Sequence, residues 1–100
     1  MKEEIFNQFV DKTCKLFKLT REQFFDNTKQ RDVVDARHLV YYLCYKRPMQ
    51  LKYIQNFMGN NGYQVLHRTV RHGINVVELK MAEDLDYQSI VKKIDNETFI

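Results

Sequence analysis

Apolar residues recur along this chain at the three-and-four spacing that puts one face of a helix toward a core. Ile5, Phe6, Phe9, Val10, Thr13, Cys14 and Phe17 define a first helix, from about Lys2 to Phe17. Thr20-Arg21-Glu22-Gln23 has the form of a capping box and predicts a short second helix to about Asn27, burying Phe24 and Phe25. Thr28-Lys29-Gln30-Arg31 has no apolar period and reads as a basic loop. A central helix follows over Asp32 to Arg47, with Val33, Val34, Ala36, Leu39, Val40, Leu43 and Cys44 inward and Arg37 and Tyr41 more outward. Pro48 ends it, because a proline excludes the residue before it from helical geometry.

The stretch from Leu51 to His72 organises the rest. Leu51, Ile54, Phe57 and Met58 predict a helix over about Gln50 to Met58, and Gly59-Asn60-Asn61-Gly62 predicts a tight turn. A longer helix is expected from the turn to about Met81, with Tyr63 at its entrance and Leu66, Val70, Gly73 and Val77 facing inward. Gln64, His67, Arg68, Arg71 and Asn75 would share the opposite, polar face. Two helices joined by a glycine-containing turn, the second with a basic face, have the layout of a helix-turn-helix spanning about 50–80. The same pattern also describes an ordinary helical hairpin with a solvated face. Glu83-Asp84 start a last segment whose Leu85, Ile90, Val91 and Ile94 predict a helix packed back on the first, with 95–100 frayed and Phe99 able to dock.

Composition narrows this. With 3 glycines and 1 proline in 100 residues, a sheet-rich fold with many tight turns is disfavoured. The expected fold is all-α, five to six helices in a single domain over 1–100. No apolar run is long enough to span a membrane, and Met1-Lys2-Glu3-Glu4 is too polar to open a secretory signal, so a cytoplasmic protein is expected. Cys14 and Cys44 are isolated in apolar helical contexts and read as buried thiols.

The net charge of +3 is unevenly placed. Residues 1–26 balance five basic against five acidic side chains, 27–72 carry eight basic against Asp32 and Asp35, and 73–100 carry three basic against six acidic. Positive charge therefore concentrates around the proposed helix-turn-helix, as a phosphate-facing surface requires.

Within this frame, residues 33–43, VVDARHLVYYL, resemble the helix Val-x-x-x-Arg-Gln-Ile-Ala-Met-Tyr-Leu in the DNA-binding domain of the bacterial replication initiator DnaA. Leu51-x-x-Ile54 is similar to its Leu-Pro-x-Ile-Gly, and Gly59 through Val65-Leu66-His67 to its Phe-Gly-Gly-Arg-Asp-His-Thr-Thr-Val-Leu-His. The resemblance runs from about Phe17 to Ile94. It implies a helix-turn-helix of the kind shared with the tryptophan repressor. Three departures stand out. Asn61, Gly62 and Tyr63 replace the family's base-reading Asp-His-Thr, and the stretch from Leu51 to Val65 is one residue shorter. The family's minor-groove arginine falls on Asp35, with Arg31 as a substitute, while Arg37 and His67 are retained. The initiator's Gly-x-x-x-x-Gly-Lys-Ser/Thr ATPase loop does not occur. A free-standing domain of this type looks like a protein of a phage or mobile element, or a short regulator, acting in a bacterial cell.

Double-stranded DNA is the expected partner, bound with altered or weak sequence preference. Asn60, Asn61, Tyr63, Gln64, His67, Arg68 and Arg71 would face the groove, and Lys29, Arg31, Arg37 and Lys52 would hold phosphates. The alternative is a protein-interaction domain that kept the fold and lost base reading, for which Tyr41, Tyr42, Tyr45, Tyr53 and Tyr63 offer anchors. No enzyme is expected, with no catalytic residue, metal or cofactor. His67 and His72 are five apart and point away from each other on a helix, and no nucleophile is paired in sequence with a base.

Overall fold

Leu39, Val40, Leu43 and Cys44 lie on one helix and are all buried, so that helix must be covered on more than one side. It is α3, Arg31–Tyr45, and it packs most extensively on α5, His67–Glu83, and next on α1, Lys2–Phe17. The others are α2, Arg21–Phe25, α4, Leu51–Asn60, and α6, Leu85–Asn96. The computed structural model describes residues 1–98, and among these the fold is all-α with no strand. One apolar cluster takes residues from every helix, from Phe6 and Phe9 through Phe24 and Ile54 to Ile74 and Ile94. The radius of gyration is 12.3 Å, against about 13 Å for a folded chain of this length.

The capping box at Thr20 forms in full: Thr20 Oγ1 accepts from the Gln23 amide and Gln23 Oε1 from the Thr20 amide. Both cysteines are free and buried. Burial raises both thiols, Cys14 to about 11 despite the nearby Arg21 charge, so they serve as small apolar side chains.

The α4–α5 connection differs from the expected tight turn. Gly62, at φ 88°, follows the end of α4, and the Gly62 and Tyr63 amides donate to the Gly59 and Met58 carbonyls. This is a complete Schellman stop, which only a residue tolerant of positive φ accepts comfortably. Residues 63–66 then run without helical structure, and α5 starts at His67 with Leu66 as N-cap. Gln64 is therefore in the link, beside Gly59, and not on the face of α5. Leu66, expected inward, is exposed because it precedes the first helical turn.

Arg37 and Tyr41, expected to lie more outward, are 3% and 1% exposed. α5 covers the Tyr41 side of α3, and the 26–30 loop closes over Arg37. On α6, Val91 and Ile94 are buried as expected, whereas Leu85 at its first position and Ile90 at the edge of its packed face are exposed. Residues 95 and 96 continue α6, and Thr98 is buried with its hydroxyl donating to the Ile94 carbonyl. The expected docking of Phe99 lies outside the described residues.

Candidate functional site

The start of α5, like that of α4, has neither a capping side chain nor an acid in its first turn, and it carries the larger group of exposed basic residues. Helices are stabilised by a side-chain acceptor at the N-cap and acids in the first turn, which answer the unpaired amides and the positive end of the helix dipole. Leu66 supplies no acceptor, and the first turn contains no acid. His67 and Arg68 occupy it instead, and Arg71 lies on the next turn; all three are exposed. The Arg68 charge in this first turn opposes the dipole by roughly 0.3–1 kcal/mol. Such an end suits an anion.

Neighbouring elements fix the position of this turn. The Gln55 amide nitrogen donates to the Val65 carbonyl at 3.1 Å, tying the link to α4. The Arg71 guanidinium lies 5.2 Å from the Tyr45 ring centroid, which holds it against the C-terminal end of α3. Arg68 has no such partner among the described residues.

Arg37 has a different place. Its Nε donates to the Phe24 carbonyl at 2.9 Å and its Nη2 to the Asp26 carbonyl. Its Nη1 reaches the Thr28 carbonyl at 3.1 Å and the Tyr63 hydroxyl at 3.3 Å, and the guanidinium lies 4.2 Å from the Tyr63 ring centroid. It thus fastens the 26–30 loop and the α4–α5 link to α3, and does not stand on the surface as a phosphate contact would. Tyr63 is half-buried by the same packing and Lys29 remains exposed.

The other expected residues are scattered. Arg31, exposed at the start of α3, pairs with Asp35 at 3.6 Å. Lys52 lies over the Tyr53 ring, 5.3 Å from its centroid, in the first turn of α4. Asn60 and Asn61 are at the other end of that helix, where Asn61 Nδ2 donates to the Phe57 carbonyl and Asn61 Oδ1 accepts from Arg21. Of the residues named from the sequence, His67, Arg68 and Arg71 form one continuous exposed group, and Lys29, Arg37 and Tyr63 line one cavity next to it. His38 and Thr69 belong to these groups with no signal in the sequence, and Tyr45, expected as an anchor for a protein partner, packs against Arg71 instead. Only tertiary packing brings them in, and no local pattern signals it.

Behind this surface, the His38 and His72 rings meet edge to face with centroids 5.8 Å apart. His38 Nδ1 is buried without a hydrogen-bond partner in the described structure. Burial, and then the neighbouring His72, lower the His38 pKa from its usual 6.5, with Asp35 opposing and Lys80 and Arg37 adding to the decrease. The folded protein thus binds this proton less readily than the unfolded chain. Stability should be full above pH 6.5 and fall as pH drops through the lower folded-state value. Urea midpoints at pH 7.5, 6.5 and 5.5 should decline for the natural chain and decline less for His38→Gln; parallel declines would exclude His38 as the source.

Among the described residues no helix is long and apolar enough to cross a membrane, and no group of three or more His, Cys, Asp or Glu is arranged to hold a metal ion. Compared with models of protein families, with curated proteins and with solved structures, the chain matches none of them.

Proposed function

We propose that this chain binds duplex DNA, with α4, the 61–66 link and α5 working as a helix-turn-helix and the first two turns of α5 entering the major groove. The observation that carries the reading is the uncapped, acid-free start of α5 with His67, Arg68 and Arg71 exposed on it. Basic side chains there oppose the helix dipole, and a bound anion would offset that opposition. Arg68 and Arg71 would contact guanine edges or phosphates, and Tyr45 would hold Arg71 in position. Gln64 and Asn61 would approach the duplex from the link, and Lys29 from the 26–30 loop. Arg37 acts from inside, by fixing Tyr63 and that loop. The resemblance to the DnaA DNA-binding domain favours a role in replication or transcription control, and the altered residues 61–63 favour a changed or weak sequence preference.

Fluorescence anisotropy with a random duplex and an initiator-box duplex, each at two salt concentrations, tests this. Binding should weaken steeply with salt, and Arg68→Ala/Arg71→Ala should reduce affinity at least about tenfold while leaving the fold intact. Absence of binding at low salt removes the proposal.

A protein-interaction role is the second reading. Its support is no longer the tyrosines, since Tyr41 and Tyr42 are buried and Tyr45, Tyr53 and Tyr63 are packed on the core. It rests on the exposed Leu16 and Ile90, which line an open groove between α1 and α6 rimmed by Lys15 and Lys93.

A further inference from the structure

Between the 26–30 loop, α3 and the first turn of α5 lies a cavity of about 190 Å³. Lys29, Arg37 and His38 line it, with Thr28, Tyr63 and Thr69 supplying hydroxyls, and no carboxylate takes part in its wall. Two features of the wall call for an anion. Arg37 is 3% exposed, and its guanidinium's partners are carbonyls and a phenol oxygen, with no carboxylate within ion-pair distance among the described residues. With four donor contacts already made, the guanidinium is hydrogen-bonded but its charge has no counter-ion, which a phosphate at the cavity wall would supply. The His38 ring also lines the cavity, its unpartnered Nδ1 lying below the wall, and the Thr69 hydroxyl stands at the start of α5, where the Thr69 amide is bonded to the Leu66 carbonyl.

We propose that this cavity binds a terminal phosphate group, as inorganic phosphate or the head of a small phosphomonoester. Its volume is below the usual range of about 300–1,000 Å³ for sites that enclose a whole small molecule, so a phosphate-sized head group fits and a base or sugar stays outside. Depth selects the monoester. Arg37 lies beneath the surface, where a phosphate substituted on one side can enter head first. A phosphodiester carries a substituent on both sides and is held at the rim. Lys29, exposed at that rim, would close on the ligand, and the Thr28, Thr69 and Tyr63 hydroxyls would donate to its oxygens. The site adjoins the exposed Arg68 and Arg71 surface and shares Lys29 with it, but the proposal does not depend on DNA binding.

The test is an NMR titration of the full chain with methyl phosphate and, separately, dimethyl phosphate, at ionic strength held constant with chloride. Methyl phosphate should give saturable shifts at the Lys29 and Thr69 amides and the His38 ring, and dimethyl phosphate should bind at least tenfold more weakly. Lys29→Glu should weaken methyl phosphate at least tenfold, while Lys15→Glu, on α1, should leave it unchanged. Arg37 is left intact because it holds the loop. Equal binding of the diester would overturn the assignment of a terminal phosphate. Shifts confined to Arg68 and Arg71, or an unaffected Lys29→Glu, would overturn the location, and no saturable shift would overturn the site. Each of these outcomes leaves the anisotropy result on duplex DNA standing by itself.

Discussion

Replacing Arg37 with alanine is expected to destabilise the fold by about 2–4 kcal/mol, lowering the melting temperature by roughly 10–20 °C. The guanidinium serves four acceptors on three segments: the carbonyls of Phe24, Asp26 and Thr28 and the hydroxyl of Tyr63. Hydrogen bonds from a charged donor are worth about 1.5–3 kcal/mol each when buried. Water can reach part of the loop once the side chain is gone, so the sum is not realised in full. Arg37→Lys should recover less than half, because an ammonium cannot reproduce the planar fork that reaches these acceptors at once. Urea denaturation of the three proteins measures this directly. A natural-like midpoint for the alanine variant would mean that the loop is held by other contacts. For DNA binding the expectation runs the other way. In buffer where the variant remains folded, Arg37→Ala should change affinity far less than Arg68→Ala/Arg71→Ala, since only the latter pair is exposed.

Arg37 also shows where sequence reading succeeds and where it stops. Helix bounds followed the apolar period closely: Lys2–Phe17 is the observed α1, and α3 ends two residues before the bound set by Pro48. Period and proline are local signals, and they are strong because they act through backbone geometry. A charge between apolar residues usually marks a solvated face, so the pattern puts Arg37 outward. The 26–30 loop, itself without a period, folds back over that position and offers its carbonyls. Nothing local distinguishes an arginine that will be covered by a loop from one that will not. The link after α4 failed for a different reason. The Gly59-Asn60-Asn61-Gly62 pattern makes Gly62 one end of a tight turn, whereas it is the left-handed stop of α4, and the four residues after it are non-helical. Both uses of glycine exploit positive φ, so the residue type alone does not choose between them. The basic group on α5 survived this shift because His67, Arg68 and Arg71 all lie beyond the new helix start. Gln64 did not.

The second large effect is expected at Gly73, where α5 comes closest to α3. A Cβ built there would lie 2.7 Å from His38 Cδ2 and 3.0 Å from Tyr41 Cδ2. Gly73→Ala would gain up to about 1 kcal/mol in helix propensity. Opposing this is overlap with two rings, one of which is 1% exposed and enclosed by the core. Overpacking of this kind costs about 1–3 kcal/mol, occasionally more. Gly73→Ala should therefore destabilise the protein by about 1–2 kcal/mol net, and Gly73→Val by more, since its branches extend the overlap. A double-mutant cycle with His38→Ala separates the causes. Removing the imidazole takes away the nearer clash, so the combined variant should be more stable than the sum of the single changes by at least about 0.5 kcal/mol. Strict additivity would show that Tyr41 alone, or a shift of the whole of α5, absorbs the added methyl. The outcome bears on function because Gly73 sits two residues after Arg71 on the same helix. If α5 moves bodily, Arg71 leaves the Tyr45 ring and the surface proposed to meet DNA changes with it; if only the His38 ring turns, DNA affinity should be retained.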